Sequence, residues 1–184
     1  MELAKGERLI EDEELPKEML GRFVKLKKDL GEGSIALIEL WTPKVYDSVA
    51  PGFSFRMVFP KEGKMWGREQ LANWYVSYYP GCCGLMLHHN WMVTVPWLHK
   101  GIGTFANIFS QWYVHDKGYT RLMATEAILD RPYSEQIFKN LGWKVSGEDF
   151  TNKRTGNVVR TFYKDNLDLW NESDAKPRLQ NEAS

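Results

Sequence analysis

The sequence predicts one mixed α/β domain of the α+β type, built on a mostly antiparallel central sheet. Residues 70–99 contain no Asp, Glu, Lys or Arg, although 26% of the whole chain is charged, which is typical of strands at the centre of a sheet. Two shorter segments ahead of them are rich in β-branched and aromatic residues and indicate further strands. A Gly-Ile-Gly turn then opens a helix, which is followed by a strand, a second helix and two strands. The domain is expected to span residues 1–164, with a polar tail over residues 165–184.

The N-terminal part is predicted to contain one helix and a meander of strands. A helix over residues 13–30 is indicated by Pro16, which suits a first turn, and by apolar residues at helical spacing. These apolar residues are Leu15, Met19, Phe23, Leu26 and Leu30. The segments "SIALIELW" and "FSFRMVF" predict two strands, and the uncharged segment predicts two more, separated by a turn at Pro80 and Gly81.

The C-terminal part is predicted to alternate helices and strands. The helix after the glycine turn is expected to end near Lys117, and "TRLMATEAI" predicts the next strand. Asp130 as N-cap, Pro132 in the first turn and Gly142 at the end indicate a second helix. The segments "WKVSGEDF" and "NVVRTFYK" are expected to close the sheet as a hairpin around Gly156.

Composition and charge exclude several classes of protein. With 24 basic and 24 acidic residues the formal net charge is zero. The net charge therefore provides no electrostatic attraction to nucleic acid or to an anionic membrane. The chain has no apolar run of about 18 residues that would predict a membrane span, and its charged start lacks the apolar segment of a secretory signal. Cys82 and Cys83 are too few for a disulfide framework. We therefore expect a cytoplasmic protein without a membrane partner.

The segment "VTVPWLHKGIGTFANIF", residues 93–109, is the first candidate binding motif. Glycines allow the backbone to approach a bulky ligand, and the free N–H groups of a helix N-terminus favour an anion. The segment therefore predicts a site for a phosphorylated cofactor. A Rossmann site is excluded because the preceding strands are predicted to be antiparallel, and a P-loop is excluded because no Gly-Lys-Ser/Thr follows.

Together with "YSEQIFKNLGWKV", this segment resembles two motifs of the GCN5-related N-acetyltransferase (GNAT) superfamily. In that family Val-x-Pro ends a strand and is followed by Arg or Gln, two residues, Gly, one residue, and Gly or Ala opening a helix. Its second motif is a short helix that ends in Tyr, three residues, Gly and an aromatic residue. The resemblance covers residues 85–164. It implies a GNAT-like fold that binds acetyl-CoA (coenzyme A) beside a splayed pair of parallel strands.

The resemblance also implies which residues contact the cofactor. Val93, Thr94 and Val95 would pair with the pantetheine arm. The loop whose amides hold the pyrophosphate would consist of His99, Lys100, Gly101, Ile102, Gly103 and Thr104. Leu98 departs from the family pattern, because it stands where Arg or Gln is usual. The resemblance therefore implies that Lys100 or His99 supplies the phosphate contact.

A second departure concerns the acid that protonates the leaving thiolate. Phe138 stands where the family usually places a tyrosine with this role, and we expect Phe138 to contact the cofactor. Ser134 and Tyr133, at the start of the same predicted helix, are the candidate substitutes, and water is the alternative.

The attacking amine also needs a base that takes its proton. In the family this base often projects from the same strand as the pantetheine-pairing segment, several residues before it, and that register falls on His88 or His89. Side chains alternate along a strand, so at most one of the two points into the cleft. His89 is the first choice by register and Glu126, on the next strand, is the second.

The candidate catalytic residues also have structural explanations. A histidine in a central strand can be a hydrogen-bonded core residue, and Ser134 can bond to the start of its helix. A zinc site is not expected, because the spacing scatters the four candidate ligands over both faces of the sheet. These ligands are Cys82, Cys83, His88 and His89.

Three classes of function agree with these features. The leading one is an acyl-CoA-dependent N-acyltransferase that transfers acetyl to a primary amine of a small molecule or peptide, by direct attack in a ternary complex. The second is a GNAT-fold enzyme that modifies nucleic-acid bases, as some phage proteins do, with a set of cations on the phosphate backbone. These cations are Lys25, Lys27, Lys28, Lys153 and Arg154. The third is a non-catalytic GNAT-fold binding module, which Leu98 and Phe138 would favour.

Overall fold

In the computed structural model the described part of the chain forms three α-helices and one eight-stranded sheet. The described residues are 3–30, 35–42, 52–59, 69–81, 84–117, 122–129, 132–153 and 155–165. The helices are α1 (Lys17–Asp29), α2 (Ile102–Lys117) and α3 (Pro132–Asn140). The strands are β1 (Glu7–Ile10), β2 (Ala36–Thr42), β3 (Gly52–Phe59), β4 (Glu69–Gly81), β5 (Gly84–Val93), β6 (Leu122–Ile128), β7 (Lys144–Thr151) and β8 (Val158–Asp165). None of the described helices is long and apolar enough to cross a membrane.

The eight strands form a sheet in the order β1-β2-β3-β4-β5-β6-β8-β7. The pairings are antiparallel except for that of β5 with β6, which is parallel. The predicted α+β class, with a mostly antiparallel sheet and one parallel strand pair, is therefore confirmed. Asp165, the first residue of the predicted tail, is the last residue of β8. Cys82, Cys83 and residues 166–184 lie outside the described residues.

The N-terminal part differs from the prediction in two ways. Strand β1 was not predicted, because its four residues lie in a charged segment and gain their structure only from pairing with β2. The helix α1 starts later than residue 13, because a 3-10 turn over Asp12–Glu14 precedes it and Pro16 flanks its first residue. The side chain of Glu14 fixes this turn by accepting from the Glu11 N–H (2.9 Å).

The two central strands predicted around Pro80 and Gly81 are confirmed as β4 and β5, but the turn between them does not lie at these two residues. Pro80 pairs with Leu85 and Gly81 with Gly84, so both are the last residues of β4. Proline is tolerated near the end of a strand, where the loss of one N–H donor costs little pairing.

The core lies between the helices and the middle of the sheet. Phe105 and Phe109 of α2 are fully buried, and the ring centroid of Phe105 lies 5.3 Å from that of Phe23 on α1. Phe109 meets the sheet, with its centroid 5.0 Å from that of Phe55 and 5.6 Å from that of Trp74. These contacts fix α2 on the sheet, and with it the glycine turn that precedes the helix.

The "LGW" motif after α3 is a helix C-cap. Gly142 has φ +76°, its N–H donates to the Lys139 carbonyl (3.1 Å), and the Trp143 N–H donates to the Phe138 carbonyl (3.0 Å). This is the Schellman arrangement, which needs a left-handed residue and usually carries a hydrophobic contact. The rings of Phe138 and Trp143 supply that contact at 5.4 Å. The predicted end of α3 at Gly142 is therefore confirmed, with a role in folding.

Candidate functional site

The parallel strands β5 and β6 part in the middle of the sheet and leave a cleft. They are paired from Met86 and Leu122 to His89 and Thr125. Beyond this point β5 stays paired with β4 as far as Val93, and β6 stays paired with β8 as far as Ile128. Each strand is thus held on its outer side, while its inner backbone edge faces the other strand across the opening.

The end of β5 determines which backbone groups face this cleft. The N–H of Thr94 donates to the Leu71 carbonyl (2.9 Å), and its hydroxyl donates to the Gln70 and Leu71 carbonyls (both 3.0 Å). Thr94 is therefore bound to β4 and has no N–H left for a ligand. Because peptide groups alternate along a strand, those of Val93 and Trp91 point to the other side, into the cleft. The Trp91 backbone was not among the predicted contacts, because only the observed register reveals it.

The turn between β5 and α2 supplies a second set of free amides. Gly101 has φ +83°, and a Cβ built there would meet nothing within 4 Å, so backbone conformation and not space requires glycine. His99 is also left-handed, with φ +61°. The first helical bond runs from the Phe105 N–H to the Gly101 carbonyl (2.9 Å), which leaves the N–H groups of Ile102, Gly103 and Thr104 without acceptors in the helix. The N-terminus of α2 thus presents free N–H groups, an arrangement that favours the binding of an anion.

Two side chains hold this turn in place. The buried side chain of Ile102 inserts into the core at the first residue of α2. Trp97 packs its ring on that of Phe59 on β3, with 5.3 Å between the centroids. Leu98 and Lys100 are exposed between them. The turn is therefore anchored on both sides of the segment that carries Lys100.

Helix α3 lies on the other side of the cleft mouth and touches the turn. The ring of Tyr133, which is about half exposed (53%), meets the His99 ring edge-on, with 5.1 Å between the centroids and 87° between the planes. Ser134 is half-buried in the same first turn of α3. The structure thus brings the predicted phosphate loop and the two candidate acids to one place.

Phe138 lies in the core. It is 1% exposed, and its ring contacts Trp143 (5.4 Å) and Phe162 (5.2 Å). These are the contacts of a core residue, so they give no support to the prediction that Phe138 contacts the cofactor.

Of the candidate bases, the structure describes the backbone positions only. His89 and Thr125 form the last pair before β5 and β6 part, and Glu126 follows Thr125 on β6. The backbone of both candidate bases therefore lies where β5 and β6 begin to separate. The side chains of His88, His89 and Glu126 lie outside the described ones.

The metal and nucleic-acid predictions involve other parts of the chain. No group of three or more His, Cys, Asp or Glu residues is placed to hold a metal ion among the described side chains, a set that does not include those of the four candidate zinc ligands. Lys25 is paired with Asp29, and Lys27 bonds both oxygens of Asp12 at 2.9 Å. Both lysines are thus already paired with carboxylates, and Arg154 lies outside the described residues.

The same fold occurs in solved acetyltransferases. NAA60 from Arabidopsis thaliana, in complex with acetyl-CoA, aligns with a TM-score of 0.54 and 11% identity over 86% of this chain and 97% of its own. A spermidine N-acetyltransferase SpeG chimera from Vibrio cholerae and hSSAT gives 0.50 and 10% over 65% of this chain and 71% of its own. RimJ from Mycobacterium smegmatis, in complex with CoA-disulfide, gives 0.50 and 11% over 66% of this chain and 57% of its own. The chain therefore has the GNAT fold that its motifs predicted.

The similarity between this chain and these acetyltransferases concerns the fold alone. The chain spans less than two thirds of the length of several other matched acetyltransferases, at 62% to 66%. No protein-family profile and no curated protein matches the sequence.

Proposed function

We propose that the protein is an acyl-CoA-dependent N-acyltransferase that moves acetyl from acetyl-CoA to a primary amine of a small molecule or peptide. The observation that supports this most is the junction of two features at one end of β5. There the cleft exposes the backbone of Trp91 and Val93, and the free amides of the α2 N-terminus follow within one turn. A ligand with an amide-containing arm and a diphosphate needs both features.

The side chains around this junction fit such a ligand. Three exposed apolar residues lie here, Met92 near the end of β5 and Val95 and Leu98 in the connection to α2, and Val95 is 79% exposed. Exposed apolar residues grouped in this way are typical of a ligand-binding surface. The left-handed Gly101 brings the backbone of the turn close to any bound anion.

Within this proposal the backbone of Val93 and Trp91 orients the pantetheine arm. The amides of Gly103 and Thr104 bind the diphosphate, and Lys100 adds a positive charge in place of the cation that Leu98 does not provide. Bound acetyl-CoA supplies an activated thioester.

The proton transfers fall to residues on both sides of the cleft. His89, or Glu126 as second choice, accepts the proton of the acceptor ammonium, because only the neutral amine is a nucleophile. Ser134 or Tyr133 donates a proton to the departing thiolate. The protein holds both reactants in line in a ternary complex, and this positioning is expected to supply most of the rate enhancement.

Thermal unfolding in the presence of CoA tests the binding part of this proposal. CoA at about 100 times its dissociation constant should add roughly 2.7 kcal/mol to the free energy of unfolding and raise the melting temperature by about 5 to 10 °C. The same concentration of pantothenate, which lacks the nucleotide diphosphate, is the control and should give a much smaller shift. An unchanged melting temperature at millimolar CoA would contradict the proposed site.

A further inference from the structure

A charged cluster behind α3 joins three elements through one arginine. Arg160 of β8 donates from Nε and Nη2 to the two carboxylate oxygens of Asp149 on β7, both at 2.7 Å. Its Nη1 donates to Glu135 Oε1 in the first turn of α3, also at 2.7 Å. All three side chains are partly shielded from solvent, with exposed fractions of 28%, 34% and 17%. One guanidinium thus connects the C-terminal hairpin to the start of α3.

The sheet is irregular where this connection forms. Ser146 pairs with Thr161 and Phe150 with Val159, so three residues of β7, 147–149, lie opposite Arg160 alone. Gly147, at the start of this bulge, is left-handed with φ +68°. Bulges re-aim side chains, and this one carries the carboxylate that binds Arg160 in a two-pronged manner.

The C-terminal end of α3 is held by a different residue of the same strand, β8. The buried Lys164 of β8 donates to the carbonyl of Leu141 and to Gln111 Oε1 on α2, both at 2.8 Å. A cation at the last carbonyls of a helix is a common way to cap it. Lys164 and the Schellman turn therefore hold the C-terminal end of α3, whereas Arg160 acts at the opposite end.

The carboxylates of the cluster are ionised near neutral pH. The hydrogen bond from Lys139, together with the charge of Arg160, lowers the pKa of Glu135. The hydrogen bond from Arg160 lowers the pKa of Asp149. Since both pKa values lie below the ordinary carboxylic range, the cluster persists at neutral pH and is lost only in acid.

We propose that Arg160 is a positioning residue for cofactor binding, which it serves by holding the first turn of α3 through Glu135 so that Tyr133 stays against His99. The contact of Tyr133 with His99 (5.1 Å between ring centroids) is where α3 meets the cofactor loop. Glu135 lies two residues after Tyr133 in the same turn. The inference rests on the proposed function, because it assigns CoA to the loop that carries His99.

Stability alone does not account for this arrangement. Ion pairs of partly exposed side chains usually contribute little to folding, because solvent screens them. The cluster is therefore expected to matter more for the position of one helical turn than for the free energy of unfolding.

The test measures CoA affinity by calorimetry for Arg160→Gln, Glu135→Gln and the double variant. Each single variant should raise the dissociation constant about 10-fold, and the double variant should be no worse than either, because residues that act through one contact are not additive. In a Tyr133→Ala background Arg160→Gln should have no further effect. Without CoA, amide hydrogen exchange in the second turn of α3, whose N–H groups donate to the carbonyls of the first turn, should be faster in Arg160→Gln than in the wild type.

Lys144→Gln is the matched control, because it removes an ion pair with Asp165 at the same hairpin from two half-exposed side chains. Its CoA affinity should equal that of the wild type. Should Arg160→Gln fail to fold, Arg160→Lys keeps the charge but loses the two-pronged contact, and an intermediate loss of affinity is expected.

The outcomes separate this inference from the proposed function. Wild-type affinity in Arg160→Gln or Arg160→Lys, or a full Arg160→Gln effect in the Tyr133→Ala background, would overturn the positioning role while leaving CoA binding intact. A wild-type protein that does not bind CoA would overturn the proposed function, and the role of Arg160 with it.

Discussion

Turnover should fall by roughly 10² to 10⁴ when His89 is replaced by glutamine, while CoA affinity stays unchanged. His89 forms the last pair between β5 and β6, at the point where the cleft opens. If it accepts the proton of the acceptor ammonium, directly or through a water, its loss should remove a limb near pH 6 to 7 from the rate profile. The loss should also shrink as the pH rises, because more of the acceptor amine is then neutral in solution and a base contributes less. The measurement is kcat/KM for the acceptor amine against pH for wild type and variant, because this ratio reports ionisations of the free enzyme and of the free amine.

The matched control for this prediction is His115→Gln. His115 is an exposed histidine two residues before the end of α2, far along the helix from the cofactor turn, so its replacement should change neither kcat/KM nor the pH profile. Unchanged turnover in His89→Gln would move the base to Glu126 or to bulk water. An equal loss of kcat/KM at every pH, accompanied by lower thermal stability, would make His89 a structural residue.

The second large effect is expected from Gly103→Val, which should weaken CoA binding by roughly 100-fold or more, or about 2.7 kcal/mol. Gly103 is the second residue of α2, and its amide is one of those without an acceptor in the helix. A branched side chain there would occupy space that the diphosphate needs beside these amides. Valine is no worse a helix former than glycine, so the helix should persist. The dissociation constant is measured by calorimetric titration.

Gly21→Val is the control for the general effect of valine in a helix. Gly21 lies on the exposed face of α1, and a Cβ built there meets nothing within 4 Å. This variant should bind CoA as the wild type does. A folded Gly103→Val protein with full CoA affinity would show that the anion binds elsewhere.

The elements that the sequence predicted well are those with local signals. The helix stop at Gly142 and the glycine turn at Gly101 need a left-handed backbone, and glycine at these positions marks them in the sequence. The hairpin around Gly156 is confirmed for the same reason, with φ +73° at that residue. Such features depend on a few neighbouring residues, so the sequence alone predicts them.

Features that depend on distant pairing could not be predicted in this way. Strand β1 forms only because β2, about 30 residues later, offers it an edge. The role of Thr94 in binding β4 follows from its register with Leu71, and not from its residue type. The Arg160 cluster joins side chains 11 and 25 positions apart through a bulge in β7, and no sequence spacing marks such a contact.

The central claim is tested most directly by thiol release from acetyl-CoA, measured with small amines, peptides and DNA as acceptors. The proposed function predicts release that requires both acetyl-CoA and an amine of a small molecule or peptide, with acetylated amine formed in equal amount. Release with DNA alone would instead assign the chain to the enzymes that modify nucleic-acid bases. Tight CoA binding without turnover on any acceptor would contradict catalysis and leave a binding module with the GNAT fold.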